Sequence, residues 1–379
     1  MSRFSPKRCF VSKFAALLAL TTLALGSCTF ATILRYGPSG VEDYAIFPHR
    51  TLKAGRQPYR FPNGPRLNSP TVPYHAFGEH DLDSLLAAND TLAFLVLKND
   101  RLVYERYFNG HGEDKLSQIF SVSKSVLSML IGCALDDGLI RSIQQPVTDF
   151  VPELRTLGYD AVTLEHLLQM TSGMDYLEWD NPFGLHPAFY YGDDLEKRLL
   201  AIPLANPPGT RWSYKSGENE LLGLILARSL HGRTITDYMQ EKLWEPLGME
   251  FDGQWAVDHE PDGLEKTFCC LALRPRDALK LGRLMLHNGE WEGRRILSEA
   301  WVARSHQVDI RNGSAWFYQN QWWVGDLAGN DYYAMGHLGQ IIYVNPGKDV
   351  VIVRLGSDRG RFSDRVSWIA LLRAVAQSF

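Results

Sequence analysis

The chain has no Cys/His pattern with zinc-ligand spacing, no glycine-rich phosphate loop and no internal repeat. Those absences remove zinc modules, P-loop nucleotide enzymes and solenoids from consideration, and neither a metal nor an organic cofactor is expected. Cysteine is scarce. Of the five present, Cys9 and Cys28 lie in the first thirty residues, Cys133 stands in an apolar run, and Cys269 and Cys270 are adjacent. A secreted disulfide scaffold would carry more cysteines at wider spacing, and adjacent cysteines seldom bridge each other, so no structural disulfide is expected. A basic excess is missing too, with 39 Lys and Arg against 43 Asp and Glu, and no nucleic-acid partner is expected. The histidines His80, His166, His231, His287 and His306 are scattered and read as surface or packing residues.

Charge is also absent from Phe14 through Leu34, a stretch preceded by Arg3, Lys7, Arg8 and Lys13 and followed by Arg35. A basic end followed by an apolar run reads as an export segment with its positive end left inside. Residues 1–34 are therefore a signal peptide or an N-terminal membrane anchor, since about 20 apolar residues suffice to span a bilayer. A third outcome is a lipoprotein signal ending at Leu25-Gly26-Ser27-Cys28. Membrane attachment through the N-terminus is favoured over full release, with the body facing the periplasm or the outside. That body, about 345 residues, can bury a large core. With 22% charged, 45% apolar and 12% aromatic residues, the composition is that of a globular protein.

The chemistry-bearing stretch is Ser121-Val122-Ser123-Lys124, at the start of an apolar helix. Residues i and i+3 share a helix face, so Lys124 can reach the Ser121 oxygen. A serine hydroxyl needs a neighbouring base to act as a nucleophile near neutral pH. The apolar run Ser125–Ile131 would bury the amine and favour its neutral form. Downstream, Tyr214-Lys215-Ser216 lies at a helix entrance, where the phenol could shuttle a proton and Ser216 could join the network. Near the C-terminus, Gly336-His337-Leu338-Gly339-Gln340 precedes the strand Ile341–Val344. The glycines there would let substrate approach a strand edge, and the Gln340 N–H could complete an oxyanion hole with that of Ser121.

In this order, Ser121-x-x-Lys124, Tyr214-x-Ser216 and His337-x-Gly339 resemble the three motifs of the serine β-lactamase and D-alanyl-D-alanine-peptidase superfamily. Leu164–Met174, Pro208-Gly209-Thr210 and Leu281–Gly289 look like further signatures, and the resemblance covers roughly residues 75 to 379. It implies an α/β (α+β) fold in which an antiparallel sheet is flanked by helices and carries an inserted all-helical subdomain. It also implies acyl transfer through Ser121, with Lys124 or Tyr214 as base. The third motif here has His337 where penicillin-recognising members commonly carry lysine, and Ser216 stands where asparagine is common. Both departures fit better the branch that resembles 6-aminohexanoate-dimer hydrolase and the β-lactamase-like carboxylesterases, whose substrates are small linear amides or esters. A β-lactamase or D-alanyl-D-alanine carboxypeptidase is the alternative, and a penicillin-binding sensor without turnover is an alternative of another class. In that branch Asp175–Asp180 falls on a substrate-covering loop, making Tyr176 and Trp179 candidate substrate contacts.

Residues 35–75, rich in Pro, Gly and Arg, read as an extended linker, and 76–379 as the hydrolase domain. Thr91–Leu97 and Leu102–Phe108 read as a hairpin through Asn99-Asp100. The Ser121 helix should run to about Asp137 and stop at Gly138. Helical patterns dominate from about 139 to 262, including Glu218–Ser229 and Ile235–Leu243. Arg274–Leu286 reads as a helix, Trp322–Val324, Ile341–Val344 and Val350–Arg354 as strands, and Phe362–Phe379 as a closing amphipathic helix.

Overall fold

The computed structural model describes residues 32, 34–65, 69–73, 78–178, 184–360 and 365–379. Nearly all of the proposed export segment, and Trp179, lie outside the described residues. Among those described, no helix is long and apolar enough to cross a membrane.

The run Thr91–Lys98 (β1) turns back on Arg101–Tyr107 (β2) through Asn99 and Asp100, both at positive φ, +49° and +57°. A two-residue hairpin loop of this kind needs left-handed backbone, which Asn and Asp tolerate best after glycine. The remaining strands of this sheet come from the far end of the chain: Tyr318–Gln319 (β3), Trp322–Val324 (β4), Tyr332–Met335 (β5), Ile341–Asn345 (β6) and Val350–Gly356 (β7). The seven strands run in the order β3-β4-β5-β6-β7-β1-β2, and every neighbouring pair is antiparallel. Val350 on β7 lies opposite Lys98 on β1, so the two ends of the hydrolase domain close one sheet around everything between them.

Side chains alternate across that sheet. On β1, Ala93, Leu95 and Leu97 face the larger core, while Phe94 and Val96 face the smaller one. The smaller core is covered by the closing helix, of which Trp368, Leu372 and Val375 are buried. Both faces are therefore dry, which explains why Leu92–Leu97 on β1 and Val350–Val353 on β7 are unbroken apolar runs. On the other face lie Val122–Asp136 (α1), with Ser216–Ser229 (α2) packed on it, and Pro275–Leu286 (α3). Every residue of α1 from Val122 to Ala134 is buried, as expected of a helix that is apolar all round. It ends at Gly138 with Gly138 N–H donating to Leu135 O at 3.0 Å and Leu139 N–H to Ala134 O at 2.9 Å, a Schellman turn. The closing helix, Arg365–Ser378 (α4), follows β7.

Three expectations are corrected. The described residues of 35–75 are docked rather than a free linker: His49–Leu52 pairs with Gly253–Ala256 at the edge of a four-stranded sheet completed by Leu271–Leu273 and Ser117–Gln118. The stretch 139–262 is accordingly not all helical, because its strand Gly253–Ala256 takes partners from two distant parts of the chain. Cys269 and Cys270 are bridged. In a regular strand adjacent side chains point to opposite faces, but these two precede Leu271–Leu273 in a tight turn, with Leu271 N–H donating to Cys269 O at 2.8 Å, and the turn brings the sulfurs together.

Candidate active site

Ser121 caps the N-terminus of α1, directly after Phe120, whose φ is +49°. A non-glycine residue in the left-handed region stores strain, and here the bend turns the chain from Ser117–Gln118 into the helix. Lys124, one turn on, has no exposed surface. Its Nζ lies 2.8 Å from Ser121 Oγ and donates to Phe268 O at 2.7 Å. Burial lowers the amine's pKa from 10.5 to about 8, against a partial opposing pull from Glu178 and Glu220. Tyr214, just before α2, has its phenol beside the Ser121 hydroxyl, which acts to lower the phenol's pKa. Its ring stacks on Trp323 at 5.6 Å between centroids and lies 5.0 Å below Lys124 Nζ. Burial, reinforced by Glu178, raises the phenol above its ordinary range, so it stays protonated at neutral pH. The structure thus brings Ser121, Lys124 and Tyr214 together.

The third motif forms a tight turn against α1. Gly336 N–H donates to Gln340 O at 2.8 Å. A Cβ on Gly336 would stand 2.4 Å from Ile119 O and 3.1 Å from Ser121 N, so only glycine lets β5 end this close to Ser121. Among the described residues, no acceptor is found for the backbone N–H of Ser121 or of Gln340. Amide donors without an acceptor, one on Ser121 and one on the turn that closes against it, are the elements that an oxyanion hole requires. The Gln340 side chain is buried, its Nε2 donating to Gly356 O at 2.6 Å.

A cavity of about 450 Å³ opens over Ser121, walled by Phe120, Phe268, Tyr190, Tyr191, His186 and His337, with Glu178 contributing a carboxylate. His337 packs edge-on against Phe120 at 5.3 Å. Burial, then Arg359 and His186, push its pKa down to about 4, so its imidazole is neutral at pH 7.

The other expected substrate contacts are placed differently. Ser216 is fully buried, and both its N–H and its hydroxyl donate to Glu178; it holds the carboxylate rather than reaching into the cavity. Tyr176 is buried against Phe189, its hydroxyl 3.1 Å from His186 Nδ1, because a ring behind α2 packs where Gly217 leaves room for it. It acts on the cavity through His186. Gly339, at φ +78°, faces the Arg354 guanidinium rather than the cavity.

Glu178, His186 and Phe268 are among the cavity residues without a motif in the sequence, as are Phe120, Tyr190 and Tyr191. Glu178 lies in the same loop as Tyr176, and a carboxylate among the aromatics of that loop is its only sequence signal. Phe268 has no motif. It is held by Glu220 on α2, which accepts from Thr267 N–H at 2.8 Å and Phe268 N–H at 3.3 Å.

A family model described as Beta-lactamase matches residues 82–377. The 6-aminohexanoate-dimer hydrolase of Paenarthrobacter ureafaciens is 31% identical over 301 residues, which is 73% of this chain and 75% of that protein. Esterase EstB of Burkholderia gladioli is 27% identical over 164 residues, 40% of this chain and 41% of its own. A solved structure of a candidate 6-aminohexanoate-dimer hydrolase from Bacillus anthracis superposes with a TM-score of 0.80 at 24% identity, covering 91% of this chain and 94% of the other. With the matched region taking in the whole seven-stranded sheet and all three motifs, the chain belongs to the beta-lactamase family.

Proposed function

We propose that the protein is a serine hydrolase that cleaves linear amides or carboxylic esters through an acyl-enzyme on Ser121. The observation that carries this reading is the fully buried Lys124 amine, 2.8 Å from Ser121 Oγ, with its pKa brought down to about 8. A base works best with a pKa near the working pH. Lys124 meets that condition, and Tyr214, whose pKa moves the other way, does not. Lys124 therefore takes the Ser121 proton as Oγ attacks the substrate carbonyl, and the N–H groups of Ser121 and Gln340 hold the oxygen that becomes negative. The Tyr214 phenol gives its proton to the departing amine or alcohol and is reprotonated from Lys124. Water then attacks the acyl group by the same route in reverse, returning Ser121 to its hydroxyl form.

The cavity argues for the substrate class. It offers a carboxylate, Glu178, and two imidazoles whose pKa values are lowered, His186 and His337, and among the described residues no lysine or arginine lines it. A substrate carboxylate, as on a penicillin or cephalosporin, finds no fixed cation among these described lining residues. We expect kcat/KM for short p-nitrophenyl esters and linear aminohexanoate amides to exceed that for nitrocefin. His337→Lys should raise nitrocefin hydrolysis relative to the esters roughly tenfold, the scale of one charge-assisted hydrogen bond. Wild-type nitrocefin hydrolysis near about 10⁶ M⁻¹s⁻¹, the range of an efficient enzyme, would instead make the protein a β-lactamase with an unusual third motif.

Export belongs to the same proposal. The uncharged stretch Phe14–Leu34 behind a basic end supports a body held at the outer face of a membrane. Fractionation of cells producing the full chain tests this: activity should sediment with membranes, and recovery wholly in the cytosol would sink the idea. If attachment is by a lipid on Cys28, Cys28→Ser should release it.

A further inference from the structure

Arg354, near the end of β7, is buried without exposed surface, and no carboxylate among the described residues lies within ion-pair distance of it. A cation in that position is costly unless every donor is used. Here every donor is used. Nε donates to Thr91 Oγ1 at 3.1 Å, Nη1 to Leu338 O at 3.1 Å and Gly339 O at 2.7 Å, and Nη2 to Asn89 O at 2.6 Å and Asp358 O at 3.0 Å. Those five bonds match the five N–H groups of a guanidinium. The plane also lies over the Trp368 ring at 3.9 Å. Two glycines clear the space, since a Cβ on Gly339 would come within 2.1 Å of Nη1 and one on Gly356 within 2.2 Å.

We propose that Arg354 is the positioning residue of the oxyanion turn, an inference that rests on the acyl-transfer reading of Ser121. Leu338 and Gly339 are consecutive left-handed residues, φ +60° and +78°, in a conformation that the turn must hold against its own preference. The Gly339 carbonyl and the Gln340 N–H belong to one planar trans peptide and point in opposite directions. By gripping the Gly339 oxygen from behind, Arg354 fixes the aim of the Gln340 N–H on the side away from itself. The positive charge on that oxygen also polarises the peptide and strengthens its N–H as a donor. Because Asn89, Thr91 and Asp358 hold the same guanidinium, the turn is tied to the start of β1 and to the segment after β7, and the donor is fixed before substrate arrives.

Arg354→Lys tests this, because an ammonium keeps the charge but has three donors and no fork. Active sites are counted first with a fluorophosphonate, so that all rates refer to folded, labelled enzyme. The expected result is a fall of about 10²-fold in kcat, the scale for a lost oxyanion donor. An alkyl boronic acid, which mimics the tetrahedral intermediate, should bind more weakly by a similar factor. KM and the apparent pKa of the pH profile should hold. Gly356→Ala is the second variant: it keeps Arg354 and places a methyl against Nη1, and the same paired loss is expected. Rates and boronate affinity within threefold of wild type would overturn the role of Arg354, as would failure of both variants to give any titratable site, which would make the residue purely structural. A wild type that the fluorophosphonate does not label at Ser121 overturns the proposed function itself, so the two failures are distinguishable.

Discussion

Ser121→Ala is expected to reduce turnover of any substrate by on the order of 10⁴-fold or more, since removal of a nucleophile leaves only binding and oxyanion contributions. It should also abolish fluorophosphonate labelling. The neighbouring serines cannot substitute, for reasons visible in their hydrogen bonds. Ser123 is buried and its Oγ accepts from Leu271 N–H at 3.3 Å; Ser125 donates to Gln321 O at 2.6 Å; Ser216 is held by Glu178. Of these four, Ser121 alone borders the cavity. Ser123→Ala should therefore keep its label and most of its rate, and label mapped to Ser123 or Ser216 would contradict the assignment.

The second large effect is at Lys124. Lys124→Ala should lose about 10³-fold or more in kcat/KM, within the range of a positioned general base. Lys124→Arg should fail comparably, because a guanidinium stays protonated at any working pH. The wild-type pH profile carries the same information. The amine's pKa is lowered to about 8 by burial, so at pH 7 only about a tenth of it is neutral and at pH 9 about nine-tenths. Acylation should rise with pH through about 8 and level off above, and the Lys124→Ala variant should lose that limb. An arginine variant with most of its activity, or a profile flat from pH 6 to 9, would mean that Lys124 supplies charge and not a basic lone pair.

Features written in local pattern were legible in the sequence. The β1–β2 hairpin is announced by Asn99-Asp100 between apolar runs, α1 by its apolar stretch and Gly138, and β6 and β7 by the apolar runs Ile341–Val344 and Val350–Val353. The Ser121, Lys124 and Tyr214 cluster was legible because its members sit at fixed spacing or at a helix entrance. What the sequence hid depends on partners far along the chain. Gly253–Ala256 is a strand because His49–Leu52 lies beside it. Tyr176 was read as a cavity residue from its place in a loop, whereas Phe189 and Gly217 draw it into the core. Gly339 was read as room for substrate, and the room is taken by Arg354 from the adjoining strand. The Cys269–Cys270 bridge depends on a turn that two adjacent cysteines do not announce.

The central claim is a covalent acyl group on Ser121, and its most direct measurement is mass spectrometry of enzyme quenched in acid during turnover of a slow ester. The account predicts one acyl adduct per chain, mapped to the peptide containing Ser121, formed in a burst equal to the titrated sites and absent from Ser121→Ala. Steady hydrolysis with no adduct at any quench time, or an adduct on another residue, would contradict it.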